Sequence, residues 1–568
     1  MVKTSKTYWL CAASMGVLIM LAACAQTVQD PAGEGGRAER SRDDAAEPMP
    51  YAPPPPPAME AYSLVATGAR LAAPHPQAVP QPMPGDIDRE RYEDVDANPV
   101  VVTQEEPVST FSIDVDTASY AVARRYLRDG VLPPRDAIRP EEIINYFDYA
   151  YPLPRSERDP FAAHVTVMPN PWNDATQLMH IGIQGYDIER AERPRANLVF
   201  LIDVSGSMNS PDKLPLAIQG LRMLLGELDP DDTIGIVVYA GAAGTVLEPT
   251  PVSERARIEA ALDRLSAGGS TAGGEGLRQA YALAEQNFDE AAVNRVMLLT
   301  DGDFNVGVTS DERLEDFVAR KRETGIYLSV MGFGRGNYND QMMQAIAQAG
   351  NGIAGYVDSV AEARRLMVED LSGNLFAIAN DVKIQVEFNP ARVAEYRLVG
   401  YETRLLDRAD FNNDAVDAGE IGSGHSVTAI YEIVAPDSPA RMVEPLRYEA
   451  RPQAEDPSGE YAFVRLRYKR PGEAESRLIE TPVTQADAVS RFEDADGEVR
   501  FAVAAAAYAQ LLRGDPYLND FGFSDAAAIA NGARGEDPFG LRGEFVQLAR
   551  LAETAAAQER LGSPGRGE

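Results

Sequence analysis

Between residues 195 and 374 the sequence alternates two textures that a chain can satisfy together in few ways. Short, nearly continuous apolar runs ("ANLVFLIDV", "TIGIVVYA", "RVMLLTDG", "IYLSVMGFG") are separated by amphipathic stretches near 213–228, 253–265, 274–287, 311–323, 338–349 and 360–374. Shorter runs, "TVLEP" and "GIAGYVD", complete the set. A strand apolar at almost every position has both faces buried, and intervening helices supply the cover. The pattern predicts an α/β unit, Rossmann-like, with helices on both faces of a mainly parallel sheet. Ligands of such sheets bind beyond the carboxyl ends of the strands. Asp203 and Asp301 stand where two strands run out.

The residues around those two aspartates define a chemistry. In "LIDVSGSMNS", Asp203, Ser205 and Ser207 leave a strand end at alternating positions and can turn their oxygens toward a common point. "GGSTAGG" supplies Thr271 on a glycine-rich loop, and "LLTDGD" supplies Asp301. Carboxylates and hydroxyls without sulfur or imidazole suit a hard divalent cation, Mg²⁺ first, with Mn²⁺ or Ca²⁺ as alternatives. Singly, each string has a bland reading as a helix cap or a strand-to-turn ending. Their order and their placement at strand ends of one α/β unit carry the inference. Asp303 reads as a solvated turn residue beside Asp301.

With those residues in place, 195 to about 372 resembles the von Willebrand factor A domain. Its metal-ion-dependent adhesion site uses the same D-x-S-x-S, a later Thr and an Asp. The resemblance implies Asp203, Ser205, Ser207, Thr271 and Asp301 as direct or water-mediated metal ligands, with no departure at the five positions. It also implies an open metal position, filled by an acidic residue of a protein partner. In related domains the coordination change can shift the last helix, here near 360–374. More widely, roughly 107–555 resembles the bacterial YfbK-like proteins, through segments such as "FSIDVDTASYA", "LPPRDAIRPEEIINYF", "TDGDFNVGV" and "GARGEDPFGLRGEFVQLARLAE". That family adds architecture more than mechanism.

The flanks organise the remainder. Lys3 and Lys6 precede "YWLCAASMGVLIMLAA", which ends in "LAAC" at Cys24, the pattern of a bacterial lipoprotein signal. Residues 1–24 are therefore expected to be a signal peptide, with Cys24 lipidated and Cys11 removed. Ala25 stands where an aspartate would argue for inner-membrane retention, so an outer-membrane anchor facing the periplasm is favoured. Residues 25–105, with "YAPPPPPAME", read as a disordered Pro/Ala-rich tether. An α+β region is expected over 106–194, with Asp116 or Thr117 capping a helix and Pro140 opening another. The α/β unit spans 195–374, a β-sandwich-like antiparallel region 375–485, and a helical segment 486–568. Strands in 161–187 are candidates to join the later β region, which would make the α/β unit an insertion.

Several function classes are disfavoured. The 87 acidic against 53 basic residues leave a formal charge of −34, unsuited to nucleic acid. His75, His164, His180 and His425 all fall outside the α/β unit, and no cysteine nucleophile survives maturation. "GGSTAGGEGL" has no P-loop Lys-Ser or Lys-Thr ending, and no second carboxylate follows Asp203 at a phosphatase spacing. The chain is not expected to be an enzyme, Mg-dependent phosphoryl transfer being the remote alternative. "DRADFNNDAVDAGEIGSGH" gathers Asp410, Asn412, Asp414, Asp417 and Glu420, but Ala415 and Ile421 stand where a calcium loop needs Gly and Glu. It reads as a polar turn. The expectation is a lipid-anchored envelope protein that binds a partner through a metal. The alternative is a structural or housekeeping envelope lipoprotein acting through its β and C-terminal regions.

Overall fold

The computed structural model describes residues 90–562 apart from 91, 94, 114, 155–158, 270–272, 303–310, 336–338, 371–372, 374 and 445–457. The expected signal peptide with Cys24, most of the tether, Thr271 and Asp303 lie outside the described residues.

Ahead of the α/β unit come β1 (Val101–Val102), β2 (Val108–Ser112), α1 (Ala118–Arg128), α2 (Pro140–Ile144), β3 (Phe161–Asn170) and β4 (Asn173–Gly185). The unit itself runs β5 (Ala196–Asp203), α3 (Leu214–Leu224), β6 (Thr233–Tyr239), β7 (Ala243–Pro251), α4 (Arg255–Leu262), α5 (Gly273–Gln286), β8 (Val293–Thr300), α6 (Asp311–Arg322), β9 (Ile326–Phe333), α7 (Asp340–Ala349), β10 (Ala354–Val357) and α8 (Val360–Arg364). After it come β11 (Ala377–Phe388), β12 (Glu395–Val399), β13 (Ile421–Gly422), β14 (Ser426–Val434), β15 (Glu460–Lys469), β16 (Arg477–Thr484), α9 (Gly497–Arg513), α10 (Phe523–Gly532) and α11 (Leu541–Gly562).

The central sheet has the order β10-β9-β8-β5-β6-β7, parallel except for the antiparallel edge strand β7. From β5 the chain builds outward to β6 and then returns to lay β8 on the other side of β5. That reversal opens a crevice at the carboxyl ends of β5 and β8. β5 is buried at all its positions. Leu198, Phe200 and Ile202 face one helical layer, while Val199 and Leu201 face the other.

Two antiparallel sheets form a sandwich from strands on both sides of the α/β unit. One has the order β1-β12-β14-β4-β3; in the other β11 pairs with β2, β13 and β15, and β16 forms the edge. Strand β14 shows why this region reads as buried on every residue. Val427, Ala429, Tyr431 and Ile433 enter the sandwich core, whereas Ile430 packs on the opposite side against the Ala-rich α9. Polar residues on that second side are partnered: Thr428 Oγ1 with Tyr151 Oη at 2.7 Å, and Glu432 with Arg397 at 3.0 Å. A third layer of α2 and α9–α11 thus covers the sandwich. Helix α1 lies between layers, giving Ala118, Ala121 and Val122 to the central sheet and Tyr120, Ala123 and Leu127 to the helices.

Local details depart from expectation for tertiary reasons. Thr117 precedes α1, but neither it nor Asp116 caps it. Thr117 Oγ1 accepts from Arg365 and Asp116 Oδ1 from the Ala354 amide, while Glu142 of α2 accepts from the Ser119 amide at 2.7 Å. Contacts begin before residue 105: Glu90 pairs with Arg125, Asn98 Nδ2 donates to Leu398 O, and β1 pairs with β12. The expected last helix near 360–374 is a short α8 followed by a π-turn, Arg365–Glu369.

Candidate metal centre

The carboxyl end of β5 delivers Asp203 into the crevice, and the chain then turns through Ser205 and Ser207. Asp203 Oδ1 accepts from the Ser205 amide at 2.7 Å, which fixes the carboxylate against its own loop. Ser205 Oγ and Ser207 Oγ lie 2.9 Å apart, one buried and the other exposed, so the site opens at Ser207. Two backbone bonds tie this loop to the glycine-rich one: Gly206 N to Gly269 O at 3.0 Å, and Gly268 N to Val204 O at 2.7 Å. Gly269 adopts φ +94°, a conformation that glycine reaches without strain. The loop carrying Thr271 is therefore anchored on the Asp203 loop up to Gly269.

Asp301 follows β8 directly and is 1% exposed; Asp203 is 0% exposed. Burying two carboxylates is costly unless each is compensated. Asp301 Oδ2 is met by Lys213 Nζ at 2.9 Å, in a pair that is itself buried. Asp203 has no such cation among the described residues. Burial pushes its carboxyl up to about 6; the Ser205 amide and hydroxyl and the Tyr239 hydroxyl oppose the rise, and neighbouring Asp301 adds to it. No donor of good geometry reaches Asp203 Oδ2 among the described residues, although the Tyr239 hydroxyl lies beside it. An ionised, buried oxygen without a strong donor is the position a cation would compensate.

Of the five residues expected from sequence, the structure brings Asp203, Ser205 and Ser207 into one loop and places Asp301 at the neighbouring strand end. Among the described residues no group of three His, Cys, Asp or Glu is placed to hold a metal. The candidate set does not depend on one, since it joins two carboxylates to hydroxyls. Sequence reasoning missed Lys213, which sits where α3 begins and has no spacing signature. Of the described histidines, His180 Nε2 pairs with Tyr151 Oη at 2.9 Å on the helix-covered face of the sheet, and His164 Nε2 with Pro152 O at 2.8 Å.

The polar turn at 407–421 is held by protein cations. Lys383 Nζ donates to the Asp410 and Asn413 carbonyls, Arg467 and Asp414 pair at 3.0 Å, and Arg322 pairs with Asp417. Asp414 and Asp417 thereby have their charge met without calcium. Glu420 is instead pushed up to about 8 by burial, against the pull of Arg295.

Comparison with known proteins places these features in a family. A model of the von Willebrand factor type A domain matches residues 197–371, one described as von Willebrand factor matches 86–180, and one described as "Uncharacterized protein YfbK, C-terminal" matches 373–555. The "Uncharacterized protein YfbK" of Escherichia coli (strain K12) is 43% identical over 472 residues, covering 82% of this chain and 81% of its own. Among solved structures, von Willebrand factor type A from Catenulispora acidiphila is 17% identical, spanning 67% of this chain and 88% of that one at TM-score 0.38. Proximal thread matrix protein 1 from the mussel byssus, with a zinc-occupied MIDAS motif, is 22% identical over 31% of this chain and 45% of its own at TM-score 0.26. The length and identity of the Escherichia coli match, with the two family models abutting near residue 372, settle the relationship: the chain belongs to the YfbK family and carries a von Willebrand factor type A domain.

Proposed function

We propose that this chain is an envelope-facing binding protein whose von Willebrand factor type A domain captures a protein partner through a divalent metal and an acidic residue of that partner. One observation carries the reading: at the switch point of the sheet, two buried carboxylates and two hydroxyls converge, and Asp203 Oδ2 lacks a strong donor among the described residues. Asp203, Ser205, Ser207 and Asp301, with Thr271 from the adjoining loop, would hold the ion. Oxygen-only donors favour Mg²⁺, with Mn²⁺ or Ca²⁺ also accepted. When bound, the metal supplies an electrophilic point for a partner carboxylate. The reading is of a binding module and not of an enzyme: no histidine or cysteine stands at the site among the described residues to serve as a base or nucleophile.

A nearby surface supports an acidic partner. Arg278, Arg313 and Arg320 line a cavity of about 280 Å³ with Leu277, Leu314, Phe317 and one aspartate, Asp316. It starts at Gly274, three residues past Thr271. None of the three arginines pairs with a carboxylate among the described residues, on a chain whose formal charge is −34. Cys24 is proposed as the lipidated residue that tethers the domain to the outer membrane, facing the periplasm.

Calorimetric titration with Mg²⁺ and Mn²⁺, beside the Asp203→Ala variant, tests the metal. Saturable binding that disappears in the variant is expected; no heat and no melting shift at millimolar metal, with and without acetate as a carboxylate ligand, would refute the reading. Cys24→Ser should abolish labelling by a fatty-acid analogue in cells, and retained labelling would refute the anchor.

A further inference from the structure

Lys213 is a cation built into the candidate metal centre. Its ammonium lies 2.9 Å from Asp301 Oδ2, with the lysine side chain 8% exposed and the aspartate 0%. Holding it there requires space, and Gly334, just past the end of β9, supplies it. A Cβ on Gly334 would stand 2.3 Å from Lys213 Cγ and from Cε, and Gly334 has φ +76°. The Gly334 carbonyl is fixed in turn: Tyr356 Oη donates to it at 2.5 Å and receives Arg125 Nη1 at 2.5 Å. The lysine is thus seated by the fold.

Among the described residues, Asp203, Asp301 and Lys213 have a simple charge account. Asp203 and Asp301 together carry two negative charges, and Lys213 cancels one. A divalent ion added to this set leaves it with one excess positive charge; a carboxylate from outside then brings it to zero. Without Lys213, the metal alone would neutralise the two aspartates, and an incoming carboxylate would add uncompensated negative charge at a buried site. We infer that Lys213 sets the ligand requirement of the centre: it weakens metal binding in the absence of an anion and makes metal and carboxylate bind as a cooperative pair. This inference rests on the metal-dependent reading above and assigns a specificity role to a residue outside the five-residue motif.

The test is Mn²⁺ titration of the full chain by calorimetry, with sodium acetate as the carboxylate probe and sodium chloride at equal ionic strength as control. Wild type, Lys213→Met and Asp203→Ala are compared at matched free metal. In wild type, acetate should tighten Mn²⁺ binding. Lys213→Met should bind Mn²⁺ about tenfold or more tightly without acetate, the direction fixed by removing a positive charge beside the ion. Its gain from acetate should vanish. Gly334→Ala provides a second variant that keeps the lysine's charge and displaces its stem; it should move both quantities the same way. Circular dichroism and melting confirm that each variant is folded. If wild type binds Mn²⁺ through Asp203 but the folded Lys213 and Gly334 variants bind it equally or more weakly, the role of Lys213 is overturned and the metal site stands. If no form binds Mn²⁺ with or without acetate, the metal reading fails, and this inference with it.

Discussion

Replacing Arg124 by methionine should cost this protein about 3 kcal/mol, through one identifiable charge left buried alone. Arg124 lies in α1 and is 1% exposed. It contacts Asp358 through Nε at 2.9 Å and Nη2 at 2.5 Å, Glu362 at 2.7 Å, Tyr146 Oη at 3.0 Å and Glu544 at 3.2 Å. Methionine keeps much of the packing volume and removes the charge. Glu362 would keep Arg365 at 2.7 Å and the Tyr146 hydroxyl at 2.7 Å. The Asp358 side chain is 6% exposed, and Arg124 is its ion-pair partner among the described residues. Breaking one side of a buried pair costs about 3–5 kcal/mol, and the sliver of solvent at Asp358 favours the lower end. With an unfolding entropy near 2.1 cal/mol/K per residue over roughly 470 residues, that becomes a fall of only about 3 °C in melting temperature. Denaturant unfolding at fixed temperature is therefore the better assay.

Acid gives the loss a signature. Burial alone would raise the Glu362 pKa, but Arg365 and Arg124 outweigh it and hold the carboxyl down to about 2. A folded pKa below the unfolded value contributes stability that is present above about pH 4.5 and is lost as pH falls toward 2. Arg124→Met removes one of those two cations, so the variant has less of this stability to lose. Its deficit relative to wild type should narrow from about pH 5 downward. Arg128→Met is the control: its side chain is 49% exposed and pairs with the same Glu544, so it should change stability by under about 1 kcal/mol. An Arg124→Met variant within about 0.5 kcal/mol of wild type at pH 7, or a deficit that is constant with pH, would refute the argument.

Two glycines should respond very differently to the same added methyl. At Gly220 a Cβ would meet the flexible Met367 Sδ at 2.6 Å within helix α3, where alanine is favoured, so Gly220→Ala should stay within about 1 kcal/mol of wild type by denaturant unfolding. At Gly352 the Cβ would lie 1.9 Å from the Leu328 carbonyl oxygen, which cannot move without disturbing β9, so Gly352→Ala should cost about 3 kcal/mol or more, and a mild effect would contradict the packing. Calcium added to metal-stripped Asp203→Ala should leave the melting temperature unchanged, because Asp414 and Asp417 are already paired with Arg467 and Arg322. A shift of several degrees that is abolished by Asp414→Asn would show a calcium site in that turn.

The α/β unit was legible because strands buried on both faces leave apolar runs that cannot be mistaken for alternating ones. The Asp203 loop was legible because its residues are consecutive in the chain. What sequence could not show is where side chains go once they leave their own element. Asp116 and Thr117 have the composition of a helix cap, yet their oxygens serve Ala354, Arg404 and Arg365, more than two hundred residues away. The helix expected through 374 gives way to a π-turn at Arg365, whose guanidinium reaches Glu362, Asp370 and Thr117 together. Glu90, within a stretch that composition marks as tether, is needed to meet the buried charge of Arg125. Lys213 is the same lesson at the site: a lone lysine before a helix carries no sequence signal, and only the approach of Gly334 shows that its place is built.

Consecutive arginines of α1 divide between two parts of the domain, and this bears on how the candidate centre works. Arg125 reaches Tyr356 and, through it, the Gly334 carbonyl beneath Lys213. Arg124 reaches Asp358 and Glu362 around α8 and continues to Glu544 of α11. Arg365 adds pairs to Glu362 and Asp370 from the π-turn. A displacement of α8 would have to exchange these buried charge-assisted bonds together, since losing them singly strands charges in the interior. A ligand shifts such an equilibrium only by its differential affinity for the two arrangements, and a single carboxylate on a metal has little with which to offset several buried pairs. Under the proposed function this arrangement favours a fixed receptor, whose selectivity would come from the charge account at Asp203, Asp301 and Lys213 and from the arginine-lined surface at Arg278, Arg313 and Arg320.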